Sequence, residues 1–248
     1  MEKTSEEINR KLKILLATTS YPVLANLNYF RDYNNYINES LKREITLLDD
    51  SRPDNKGELF KLTMKELSYY GEVRKYKSFS NIMRVSLLTS LCAFIENVIT
   101  SPCDSYNNEN QFDKYKRKMG RRSRKLSTIQ VAKRFLIENG FTELDKIPNW
   151  KYIFDMMTIR NRFVHSDGSS TAYIDKISST YAFSISQGKI TLGDDFIGDF
   201  IGVLEKFSIA YAELIYPNEN KLTKIFRDKG FDVEKFTSAV NRYIIGRN

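Results

Sequence analysis

Apolar residues recur at spacings of three, four and seven along most of this chain, the pattern of helices that bury one face. After Pro22, the series Leu24, Leu27, Phe30, Ile37, Leu41, Ile45 and Leu48 predicts one long amphipathic helix. A shorter helix around Ile8, Leu12 and Leu15 precedes it, and the cluster Ser51, Pro53, Asp54 and Asn55 ends it in a loop. A third helix carries Leu59, Leu62, Leu67 and Tyr70 and stops before Gly71. Next, Ile82, Val85, Leu88, Leu91, Ile95 and Val98 form a stripe that Leu87, Phe94 and Ile99 widen. A helix apolar over so much of its circumference belongs at the centre of a bundle.

Ser101 to Gln111 reads as a polar loop, and Lys114 to Lys125 as a partly irregular basic stretch interrupted by Gly120. A helix over Ile129 to Asn139 closes at Gly140, and Pro148 opens another at its first turn. Trp150, Ile153, Phe154, Met157 and Val164 give that helix its core face, with Asn161 on the same stripe, and Gly168 ends it. Tyr181, Phe183 and Ile185, then Gln187-Gly188, then Ile190 and Leu192 spell a short β-hairpin. Asp194 and Asp195 can cap the following helix, whose face is Phe196, Phe200, Val203, Leu204, Phe207, Tyr211, Leu214 and Ile215. Pro217 closes it, and a last helix holds Phe231, Phe236, Val240 and Ile244. The expected fold class is therefore all-α, one helical domain with a small hairpin insert.

With 248 residues the chain can bury a real core without staples. Its two cysteines, Cys92 and Cys103, are too few for a disulfide scaffold, which points to a reducing, cytoplasmic compartment. Met1 to Leu12 lacks the apolar run of a signal peptide, and Val85 to Ile99 falls short of the roughly 18 residues a spanning helix needs, so no membrane anchor is expected. The net charge of +8 and pI near 9.2 favour polyanionic partners such as nucleic acid. One histidine and two distant cysteines cannot make a zinc site, and no glycine-rich turn suits a nucleotide-binding enzyme. Neither metal nor cofactor is expected.

That single histidine, His165, lies in Arg160-Asn161-Arg162-Phe163-Val164-His165. Asn161 and His165, four apart, share a helical face, so the amide can orient the imidazole. Arg160 and His165, five apart, point roughly 140° from each other and meet only if the last turn loosens, the arginine curls round, or a second copy supplies it. Glu96, near the end of the apolar central helix, either answers Arg160 or His165 or reaches solvent. The run Lys114, Lys116, Arg117, Lys118, Arg121, Arg122, Arg124 and Lys125 can contact phosphates or can be a solvated loop.

Arg160-Asn161, three residues and His165, on a helix opened by Pro148 and Trp150 and closed by Gly168, resembles the signature of the HEPN superfamily. Phe94-Ile95-Glu96-Asn97 resembles the end of that family's other core helix. The resemblance covers residues 79–216 and implies a HEPN-like helical bundle, with 1–78 as an N-terminal helical extension and 217–248 as a C-terminal helix. It implies a metal-independent endoribonuclease of toxin or antiphage type, working as a homodimer whose two motifs form a composite site, and it leaves open whether an antitoxin or sensor protein restrains it. Inactive members that only bind RNA or a protein partner leave a second expectation open. Where an antitoxin modifies the toxin, a tyrosine two residues after the histidine is typical; Asp167 stands there. The implied chemistry is attack of a ribose 2′-OH on the adjacent phosphate. His165 would give or take the proton, Arg160 would hold the phosphate, Asn161 would fix the imidazole or touch the phosphate, and Arg162 would bind RNA or stay a surface charge.

Overall fold

The computed structural model describes residues 20–50, 64–105, 111–119 and 126–215. Among them are seven α-helices, one 3-10 turn and a two-stranded sheet, an all-helical architecture with a hairpin insert. The expected helix around Ile8 to Leu15, the loop from Ser51 and the helix after Pro217 lie outside the described residues.

Helix α1 spans Ser20–Asp50, and helix α2 spans Met64–Ser105, a continuous 42 residues. The break expected at Gly71 does not occur. A lone glycine costs a helix only about 1 kcal/mol, and without a neighbouring proline or turn cluster that does not end one. The polar loop expected from Ser101 is likewise helix as far as Ser105. The boundary placed between residues 78 and 79 therefore falls inside an unbroken helix.

The two helices run antiparallel, as cross-links along them show. Tyr69 Oη donates to Asp49 Oδ1 at 2.6 Å, Tyr76 Oη to Glu44 Oε2 at 3.2 Å, and the Phe30 and Phe94 rings meet at 5.9 Å. The buried row of α2 is Leu87, Leu88, Leu91, Cys92, Ile95 and Ile99, whereas Ile82, expected in the stripe, is 63% exposed. By length and composition Glu66–Cys103 is apolar enough to cross a membrane; in this structure its apolar row faces the protein's own core.

Helix α3 (Gln111–Met119) regularises the first part of the basic stretch by seating Phe112 against Phe135. Helix α4 (Thr128–Glu138) starts at a capping box, Ser127 with Gln130, and gives way at Gly140, whose φ is +104°. A 3-10 turn over Thr142–Lys146 follows, and Trp150 Nε1 donates to the Leu144 carbonyl at 2.7 Å. Helix α5 (Trp150–Ser166) takes left-handed Asn149 as its N-cap, so Pro148 precedes the helix rather than opening it.

The short helix α6 (Ala172–Ile177) leads to strands β1 (Phe183–Ser186) and β2 (Lys189–Leu192), paired antiparallel with Ile185 opposite Ile190. Gln187 and Gly188 both have positive φ, which the two-residue turn requires. Helix α7 (Phe196–Ile215) then buries Phe196, Phe200, Leu204, Phe207 and Tyr211, and Tyr211 Oη donates to the Ile99 carbonyl on α2 at 2.9 Å. Each such buried side chain contributes about 1.5–3 kcal/mol, so α2 and α7 fix the frame on which α5 is carried. Asp194, expected as a cap, pairs with Arg84 instead, while the Asp195 carbonyl accepts from Asp199 N.

Candidate functional site

The first half of α5 is core: Trp150, Ile153, Met156, Met157 and Ile159 are buried. Val164 has the same azimuth as Met157 about 10 Å further along the axis, yet it is 51% exposed. The helix outruns its neighbours. Asn161 and His165 are exposed on this projecting end, which corrects the expectation that Asn161 and Val164 continue the core stripe.

Arg160 turns inward. Its NH2 lies 3.5 Å from Glu96 Oε2 and 3.7 Å from Met157 Sδ, while its Nε is buried without a partner. Cys92 and Glu96 are one turn apart on α2, so the guanidinium rests against both. Burial pushes the Cys92 thiol up to about 12 despite the nearby arginine, so it stays protonated at neutral pH. Of the two partners open to Glu96, the structure places Arg160 beside it. Among the described residues, neither Asn161 nor His165 has a side-chain hydrogen bond or ion pair within the chain, so the amide does not orient the imidazole here.

The turn after the motif is firmly built. Asp167 and Gly168 adopt positive φ of 49° and 68°, and a Cβ at Gly168 would come within 2.8 Å of the Phe163 ring. Lys189 Nζ donates to the Asp167 carbonyl at 2.8 Å and to its carboxylate at 2.6 Å, and that bond and charge hold the Asp167 carboxyl below the usual range. Arg162 donates its Nε to the Ser169 carbonyl at 2.6 Å, so part of its donor set belongs to this turn. Of the basic run, Lys114, Arg117 and Lys118 are exposed on α3, whereas Lys116 pairs with Asp113 at 2.6 Å over the Phe112 ring. Arg121, Arg122, Arg124 and Lys125 lie outside the described residues.

Sequence reasoning missed Asp155. It is 1% exposed and accepts hydrogen bonds from Tyr173 Oη, Tyr181 Oη and, at 2.6 Å, Lys151 Nζ. Burial pushes its carboxyl up, but the bonds from Lys151, Tyr173 and Tyr181 together outweigh it and leave the group below its ordinary value. Tyr181 is raised in turn, by burial and then by its bond to the carboxylate. The available signal was Lys151 four residues before an aspartate on an apolar face.

Among the described residues, no group of three His, Cys, Asp or Glu side chains stands close enough to hold a metal ion. No protein-family model, no curated protein and no solved structure matches the chain. Its class is set by its architecture alone, a helical chain with an antiparallel hairpin insert.

Proposed function

We propose that this chain is a HEPN-type, metal-independent endoribonuclease acting as a toxin or antiphage effector. The observation that carries the reading is the Arg160 and Glu96 pair, with the arginine's Nε unanswered, next to exposed Asn161 and five residues before exposed His165. A buried donor without a partner is uncommon, and the part of the same guanidinium that reaches solvent can take a phosphate oxygen. The ribose 2′-oxygen attacks phosphorus as its proton leaves. The bond to the 5′-oxygen breaks, that oxygen gains a proton, and a 2′,3′-cyclic phosphate and a 5′-OH result. His165 moves one of these protons, since its unperturbed pKa of about 6.5 suits transfer in both directions. Arg160 stabilises charge on the phosphate oxygens with a planar fork that lysine lacks. The five-residue offset between Arg160, turned inward, and His165, exposed, fits a homodimer packed through this end of α5, where a second copy brings another motif to the first.

A second reading, an RNA- or partner-binding module without catalysis, is favoured by the missing contact between Asn161 and His165. One experiment separates the two. The purified protein is incubated with total RNA and tRNA in EDTA, beside an Arg160→Ala, His165→Ala variant. Cleavage to cyclic-phosphate ends by wild type alone supports the enzyme. RNA bound but uncut supports the module, and cleavage that persists in the variant rejects the assigned residues.

A further inference from the structure

About 18 Å before Glu96 along α2, a second arginine is held in an unusual setting. Arg84 is 7% exposed. Its guanidinium meets Asp194 Oδ1 at 2.5 Å, the Leu192 carbonyl at 3.2 Å and Asn38 Oδ1 at 3.4 Å, and its Nε is buried without a partner. The principal counter-charge is the least secure of these, because the Asp194 side chain is 82% exposed at the rim. A buried cation answered by a solvated carboxylate can exchange it for another anion at little cost.

Arg84 borders a cavity of about 740 Å³ between α1, α2 and the connection from β2 to α7. Its floor is apolar, from Leu41, Ile45 and Leu192. Lys42 and Lys77 reach it from α1 and α2, and among the described residues neither has an ion pair within the chain. Glu39 and Asp195 also line it. The size falls in the range of small-molecule sites. The mixture of charges decides the class of ligand. A polyanionic strand would meet the two carboxylates, whereas a compact anionic head on a body bearing hydroxyl or amino groups answers both kinds of lining.

We propose that this cavity binds a small phosphate-bearing ligand of mononucleotide size. The phosphate takes the place of Asp194 on the Arg84 NH2 and is held by Lys42 and Lys77. Hydroxyl or amino groups on the ligand donate to Glu39 and Asp195. The proposal stands apart from the ribonuclease reading and survives its failure.

Calorimetric titration of the full chain with AMP, and with adenosine as the probe lacking phosphate, tests it. AMP is expected to bind saturably and adenosine at least about tenfold more weakly, the scale of losing charged hydrogen bonds. Replacing the exposed lysines, Lys42→Gln with Lys77→Gln, avoids the folding risk of changing Arg84 and should weaken AMP by about tenfold. Asp194→Asn removes the competitor and should tighten AMP several-fold. The Arg160→Ala, His165→Ala variant should bind AMP as wild type does. No saturable binding at about 10 mM AMP, adenosine binding as tightly as AMP, an unchanged lysine variant, an Asp194→Asn affinity no better than wild type, or loss of binding in the motif variant would each overturn the proposal.

Discussion

Asp155 and Arg160 stand five residues apart on α5, and each sets a charge against the bundle. Asp155 is answered in full: two tyrosine hydroxyls and a lysine reach its oxygens, and together they tie α6 and the approach to β1 onto α5. Arg160 is answered in part, by one carboxylate at 3.5 Å and the Met157 sulfur at 3.7 Å, with Nε left over. A charge satisfied from within holds elements together. A charge left partly unsatisfied beside open surface is available to a ligand.

The largest effect that would sharpen this contrast is His165→Ala. Cleavage is expected to fall 10²–10⁴-fold, while urea denaturation shifts by less than about 0.5 kcal/mol because the side chain is exposed. Asp155→Ala should show the reverse, a loss of about 3 kcal/mol in urea unfolding as two tyrosine hydroxyls lose their acceptor, with cleavage by the folded fraction retained. A shift below about 1 kcal/mol would erase the distinction between the two charges.

The same aspartate carries a pH dependence whose sign follows from its lowered pKa. Its stabilisation is complete above the unfolded value, about 3.9, and is lost as pH falls through the lower folded one. The urea midpoint of wild type should therefore drop between about pH 5 and pH 3 more steeply than that of Asp155→Asn. Parallel curves would assign the acid sensitivity elsewhere.

The smallest effect belongs to Glu96→Gln. Its side chain is 28% exposed and that of Arg160 is 21% exposed, so the pair contributes about 0–1 kcal/mol. Cleavage should slow several-fold as Arg160 loses its tether. Unchanged melting and unchanged cleavage together would remove Glu96 from the site.

Where chemistry acts locally, the sequence was legible. Gln187-Gly188 between alternating strands marked the hairpin, and Gly140 marked the end of α4. Gly71 misled because a glycine only weakens a helix, and nothing else nearby ended α2. The six-residue α6 and the five-residue 3-10 turn are too short for a helical period to register. The motif was readable as residues but not as geometry. The pairing of Glu96 with Arg160 could be expected from a carboxylate that needs a donor, whereas the exposure of Asn161 and Val164 depends on where α2 and α7 stop covering α5, which azimuth does not encode. Of the partners of Asp155, Lys151 is local, but the two tyrosines lie 18 and 26 residues away, beyond any local pattern.

The meeting of α1 with α7 also sets a timetable for synthesis. Arg31 pairs with Glu205 at 2.5 Å, and Asn38 reaches the Asp194 carbonyl at 3.4 Å. At about 5–20 residues per second, the ribosome needs roughly ten to thirty-five seconds to go from one partner to the other. During that interval α1 can zip against α2, but the face reserved for α7 has no cover. Closing so long a loop costs only about 0.6 kcal/mol more than closing one half its length, so the finished fold is hardly weakened. The hazard is one of timing. A nascent chain halted before Phe196 presents an apolar helical hairpin to chaperones and to other unfinished copies, and becomes self-contained only once α7 emerges.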